Sequence, residues 1–403
     1  MVSLVALLAM AGLAFDVGHL ALNKARLQSV VDAAALSAAK RLYDLGSTPS
    51  ATASATTVAN DVLNTNASTI PELQRLIGNG LNITVEYSSS ANPFAAGTNP
   101  PTFVRVRAQN FSMAASLARV VGVTSLNTSA SAVAGPQGIN GGTVCNVLPV
   151  MMCGNTASGG PLWGYTANQL VRLKRGSATS GTVGPGNYYL IRLGGSGANV
   201  VRDNLAGAYE GCLTAGGSSD VETQPGNVAG PTRQGLNTRF NEYQGGMSRT
   251  EFPPDVITTE PNPALQACGS NDESICKQGS TQPVTTASQL NFGQASYAAR
   301  LPNGNYDVAP APNGDGVFKR REIAVPIANC SGAANGQSTL PVLGFACVFL
   351  LQRVQGTGQE ADIYGEMISG CNVGGAPGAP GAAIGPSSPI RIVLYHNSAS
   401  VDS

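Results

Sequence analysis

Residues 1–15 are apolar apart from Ser3, Asp16 interrupts the run, and a weaker apolar pattern continues to Leu22. After Asn23 the chain turns amphipathic. Leu27, Val30, Val31, Ala34, Ala35, Ala38 and Leu42 recur at spacings of three and four, which define one helix face. The first proline is Pro49, and Gly46 stands where a helix C-cap belongs. The pattern predicts one helix of about 45 residues, roughly 65–70 Å long.

The positions beyond it predict shorter elements. Pro49 suits the first turn of a helix over 50–64. Alternation predicts strands at 82–88, 102–109 and 124–134, with a short helix at 112–121 between the last two. Further strands are expected at 143–152, 187–193, 322–329, 340–352 and 389–396. The 340–352 run is too short to cross a bilayer and reads as a buried central strand. Few periodic signals occur over 194–320. The expected fold class is α+β. It comprises an N-terminal helix over 1–46, a small α+β unit over 47–135 and a β-rich, disulfide-stapled head over 136–403.

The eight cysteines are an even set, without the paired spacing of a zinc site, and point to an exported, oxidising location. Cys145 with Cys153 and Cys268 with Cys276 each bracket a seven-residue loop and are expected to close locally. Cys330 with Cys347 could join neighbouring strands, leaving Cys212 with Cys371.

Composition narrows the function. Charged residues are 11% of the chain, and 23 Lys and Arg balance 23 Asp and Glu. Phosphate recognition needs a basic excess that is absent, so nucleic acid is not an expected partner. With only His19 and His396, a Ser-His-Asp triad or a His-rich metal centre has little to draw on. No catalytic residues, no cofactor and no enzymatic activity are expected. A weakly charged surface lacks the self-repulsion that keeps soluble proteins apart, and suits a protein that meets copies of itself. A weak cation candidate lies in 312–322, where Asn313, Asp315 and Glu322 could offer oxygens to calcium; a tight turn is the plainer reading.

Four readings compete for the first helix: a secretory signal, a membrane anchor, a buried core helix, or a pilin-type helix carrying a globular head. The stretch LLAMAGLAFDVGHLALNKARLQSVVDAAALSAAK resembles the N-terminal module of Tad/Flp pilus proteins of the TadE/TadG type. The likeness lies in Asp16 followed by Gly18, then Leu27, Gln28, Asp32 to Leu36, Ala38 and Ala39. CNVLPVMMCG, GLNTRF, FPPD, RREIAVPIANC, LPVLGFACVFLL and RIVLY resemble the longer TadG-like proteins more loosely. The resemblance implies a non-enzymatic subunit of an extracellular Tad/Flp or type IV pilin-like filament. Such a subunit sits in the inner membrane before assembly, polymerises with itself or other pilins through its helix, and displays a head that could serve adhesion. The alternative it implies is an inner-membrane-anchored assembly factor with an exported domain.

Met1, Leu4, Leu7, Leu8, Asp16, Leu20, Leu27 and Val31 are the residues assigned to assembly. A carboxylate in an apolar helix is costly and marks function or pairing. Two settings are open for Asp16: solvation at an interface, or pairing with a cation of a neighbouring subunit that fixes axial register. The Ala33–Ala39 run allows close helix approach, either to another subunit or beneath the head.

Overall fold

The computed structural model describes residues 2–76, 81–139, 142–174, 187–269, 274–331, 333, 336–356, 361–373 and 388–396. The chain divides into two compact units, Met1–Pro136 with Ile392–Ser403, and Gln137–Arg391. The fold is α+β, with the expected long helix at its start and four disulfides in the β-rich part.

In the smaller unit, α1 spans Val2–Asp44, α2 Thr52–Ala67 and α3 Pro71–Leu76. Helix α1 ends where the sequence places its stop. Gly46 takes φ +85°, its amide donates to Tyr43 O at 3.0 Å, and the Ser47 amide donates to Leu42 O at 2.8 Å. These are the two bonds of a Schellman cap, which satisfy carbonyls the helix leaves unpaired. The predicted face of α1 is buried from Leu27 to Leu42. It meets α2, whose Ala55, Ala59 and Leu63 form a matching buried row with Ala51 just before them. Small residues on both sides let the helices approach closely, and each buried leucine contributes about 1.5–3 kcal/mol.

Strands β1 (Asn82–Ser88), β2 (Phe103–Ala114) and β3 (Ser125–Gly138) form an antiparallel sheet, and the chain's last strand, Ile390–Tyr395, completes it beside β3. Val104, Val106 and Ala108 of β2 are buried, while Arg105 between them bonds Glu86 directly across on β1. The expected helix at 112–121 is corrected. β2 continues to Ala114, paired with Ser125, and only Ala118–Val121 forms a short 3-10 turn. Alternate burial of Phe111, Met113 and Ala115 wins over the helical propensity of an alanine-rich segment, because β3 supplies the backbone partners. The chain leaves this sheet through β3 and re-enters it through the last strand, where the Ile139 amide donates to Pro389 O at 2.8 Å.

The larger unit holds β4 (Thr143–Val147), β5 (Met152–Cys153), β6 (Leu170–Lys174), β7 (Asn187–Arg192), α4 (Ala198–Gly207), β8 (Tyr209–Thr214), β9 (Asp220–Pro225) and α5 (Ala229–Leu236). Then follow β10 (Leu265–Ala267), β11 (Ile275–Lys277), β12 (Pro283–Val284), α6 (Gln294–Arg300), β13 (Glu322–Ala328), β14 (Thr339–Leu350) and β15 (Ile363–Met367). The main sheet runs β6-β15-β14-β13-β4-β8. The apolar run near 340–352 is therefore an interior strand, flanked by β13 and β15. Val325, Ile327, Val348, Leu350, Leu148 and Leu205 lie in its core. The expected strand 143–152 is two strands, because Pro149 separates β4 from β5 and each pairs a different stretch of β13.

All eight cysteines are bonded, but three expected pairings are corrected. Cys268–Cys276 closes its local loop as expected. The others are Cys145–Cys212, Cys153–Cys330 and Cys347–Cys371. Val147 opposes Ala324 and Cys153 opposes Ala328 on β13. In that register Cys145 and Cys153 lie about 20 Å apart along the strand direction, far beyond disulfide reach. Ala324 opposes Cys347 in the β13–β14 pair, which separates Cys330 from Cys347 by a similar span. Cys145 instead faces Cys212 directly across β4 and β8, so Cys212 cannot take Cys371.

Arg321 anchors the centre of this unit. It is fully buried, and its guanidinium donates to the carbonyls of Leu350, Ile257, Thr259 and Leu351. Phe240 and Phe349 rings lie 4.5 Å from its Cζ. Asp255 accepts from the Arg321 amide at 2.9 Å and from Tyr297 Oη at 3.0 Å. Burial pushes the Asp255 carboxyl up to about 6, against the pull of Arg321 and its hydrogen-bond donors.

Candidate functional site

The 3-10 turn at Ala118–Val121 begins with three amides that point the same way, and Asp16 of α1 receives them. Its carboxylate accepts from Ser116 N at 3.1 Å, Leu117 N at 2.9 Å and Ala118 N at 2.7 Å. The residue is 5% exposed. Amides at a turn start have no partner within the turn and carry partial positive charge, so a carboxylate is their natural acceptor. These bonds, led by that of Ala118, hold the Asp16 carboxyl below its usual pKa of 3.8 against the opposing effect of burial. The structure therefore gives Asp16 a setting the sequence did not suggest: a latch to backbone amides within its own unit.

Polar residues further along α1 extend the latch. Gln28 Nε2 donates to Ser131 O of β3 at 3.0 Å and to Asp32 Oδ1 at 2.7 Å, so Gln28 ties the helix to the sheet while Asp32, one turn on along the same helix, holds its amide. Asn23 is buried and donates to His19 O at 3.0 Å. At the other end, Gly12 lies against the turn. A Cβ there would stand 2.7 Å from Leu117 Cβ, so the approach requires glycine.

Much of the rest of the helix surface at this level is exposed and apolar, with His19 exposed among it. Met10, Leu13, Phe15, Val17 and Leu22 are between 43% and 62% exposed. They occupy the circumference away from the stripe of Gly12, Asp16 and Asn23. Leu117 and Val120 of the adjoining turn are exposed too, at 51% and 73%. Exposed apolar residues of this kind form a candidate contact surface.

The residues assigned to assembly thus separate. Leu27 and Val31 are buried within the smaller unit rather than offered to a partner, and Leu20 is half-buried. Met1 and the side chains of Leu4, Leu7 and Leu8 lie outside the described residues, as does the Gly/Pro segment 374–385. Sequence reading missed Met10, Leu13 and Phe15 as the exposed set. Their signal was a helical position off the stripe of Gly12, Asp16 and Asn23, legible only once Asp16 is known to face inward.

Two of the three residues of the cation candidate, Asp315 and Glu322, take part in ion pairs. Arg249 binds both carboxylate oxygens of Asp315, at 2.5 and 2.6 Å, and Lys319 pairs with Glu322 at 3.2 Å on the first residue of β13. Among the described residues, no three His, Cys, Asp or Glu come together in a metal-binding group. A cleft of about 630 Å³ in the larger unit is lined, among the described residues, by Met151, Tyr165, Arg172, Tyr189, Val284 and their neighbours, with no Asp, Glu, His or Lys among those residues. It assembles no acid–base pair. No helix among the described residues is long and apolar enough to cross a membrane.

A long helix latched by one face to its own α/β unit, with an apolar face left open, defines a helix-presenting protein. Residues 1–41 match the family described as putative Flp pilus-assembly TadE/G-like, in agreement with the resemblance carried by Asp16, Gln28 and Asp32. That match gives the N-terminal module a Tad pilus-related identity. No curated protein matches the chain. No solved structure matches it either.

Proposed function

We propose that this chain is a non-enzymatic structural subunit of a Flp-type pilus filament at the cell surface. It assembles with copies of itself or with other pilins through α1, and displays the larger unit. The observation that carries this reading is the exposed apolar set Met10, Leu13, Phe15, Val17 and Leu22, left open around the helix while Asp16 holds the stripe of Gly12, Asp16 and Asn23 against its own unit. A single polar latch makes one face of the helix unavailable, so partners meet a defined apolar surface. The zero net charge and disulfide-stapled larger unit suit an exported polymer.

The test is to shear cells that make the protein and to probe both fractions. Filaments in the supernatant that contain this chain are the expected result. Retention in washed membranes, with no chain in sheared filaments, would overturn the reading in favour of an anchored assembly factor.

A further inference from the structure

The end of β6 sets an amine against a side-chain amide inside the larger unit. Lys174 is fully buried. Its Nζ donates to Asn227 Oδ1 at 2.6 Å and to Ala361 O at 3.1 Å. Asn227 lies in the turn between β9 and α5, 53 residues on, and Ala361 leads into β15. A buried ammonium is costly, and the cheaper form inside a protein is the neutral amine. Burial lowers the Lys174 pKa to about 7, with Arg172 and Arg233 acting in the same direction and Asp362 opposing them. A neutral lysine amine is a nucleophile, and the Asn227 side-chain amide it touches carries an electrophilic carbon.

We propose that Lys174 and Asn227 are joined by an intramolecular isopeptide bond. Rotation about Cε–Nζ turns the nitrogen lone pair toward Asn227 Cγ. The Nζ–Cγ bond forms, the Cγ–Nδ2 bond breaks, and Nδ2 leaves as ammonia with one hydrogen from Nζ. One amide replaces another, so no oxidant or co-reactant is needed. An amine that begins protonated releases its extra proton with the leaving group, as ammonium. The fold supplies proximity, which can replace a large share of a bimolecular barrier. Asp362 favours the positive charge that develops on Nζ during attack. Its carboxylate is itself held by Arg172 at 2.8 and 3.1 Å and by Tyr364 Oη at 3.1 Å. The bond would tie β6 to the β9–α5 turn, a link that none of the four disulfides makes. It stands on the larger unit alone and is independent of the filament reading.

Mass spectrometry of the purified full chain, denatured and fully reduced, tests it. The expected intact mass is one ammonia below the sequence mass. Tryptic digestion is expected to yield a branched peptide joining Leu173–Arg175 to Asp203–Arg233. An intact mass equal to the sequence mass overturns the proposal. So does an ammonia deficit that maps to a linear peptide, such as a succinimide at an Asn-Gly site. Asn227→Ala and Lys174→Met are each expected to restore the full mass of the variant chain. The wild-type measurement decides the matter by itself if either variant fails to fold.

Discussion

The Asp16 carboxylate accepts the Ala118 amide at 2.7 Å across 102 residues of chain. This contact decides which side of α1 faces its own unit and which side remains for others. Removing the carboxylate in Asp16→Ala is expected to leave the sheet and α2 folded while the Ser116, Leu117 and Ala118 amides lose protection. Hydrogen exchange resolved at those three amides checks this, because protection there requires the acceptor. Filament yield is expected to fall with it.

The same latch carries a pH signature. Asp16 has its carboxyl depressed in the folded state, so its contribution is full above the ordinary value of 3.8 and is lost as pH falls through the depressed value. Wild type is expected to lose amide protection at 116–118 on acidification below that range. Asp16→Asn is expected to show no such step, and an equal acid step in both proteins would assign the effect elsewhere.

Phe15→Asp and Leu22→Asp place charge on the open face. Both positions are more than half exposed, so unfolding midpoints are expected to stay within about 0.5 kcal/mol of wild type. Filament assembly is expected to be lost. Denaturant titration of the purified chain and electron microscopy of sheared material read the two effects separately.

Arg321→Met removes a guanidinium that serves four carbonyls and takes from buried Asp255 the largest favourable charge acting on it, leaving Arg239 and Arg320 nearby. Loss of one partner from a buried ionic network costs about 3–5 kcal/mol. Arg321→Lys is expected to recover little, because one ammonium cannot reach four carbonyls and lie flat on Phe240 and Phe349. Chemical denaturation of both variants measures the difference.

The two extreme disulfides rank by loop length. Cys153–Cys330 closes 177 residues and Cys268–Cys276 closes eight. Replacing the first pair by alanine is expected to cost about 2–3 kcal/mol more than replacing the second, from denatured-state loop entropy alone. Denaturation midpoints of the two double variants test the order.

Helix α1 was legible because Leu27, Val30, Val31, Ala34, Ala35, Ala38 and Leu42 repeat over many turns, and Gly46 carries its own stop signal. The latch was not, because its donors are backbone amides at 116–118, which have no side-chain signature. Helix α4 escaped notice for a different reason. Only Val201, Leu205 and Ala206 are buried on it, and its stability comes from the core it covers rather than from its own pattern. Disulfide pairing depends on strand register, as Cys145 opposite Cys212 shows, and register is a long-range property that loop length does not encode. Lys174 and Asn227 meet by the same kind of tertiary accident of topology, with nothing in either local sequence to announce it.

The sheet of the smaller unit has a further meaning for the chain's layout. Its third strand and the chain's last strand are neighbours, and Ile139 meets Pro389 where one departs and the other returns. A tight turn could close that gap without removing a single strand from the sheet. In topological terms the larger unit is an insertion between two neighbouring strands of a small helix-bearing unit. A unit of this form can exchange what it displays while the latch and the apolar helix face stay unchanged.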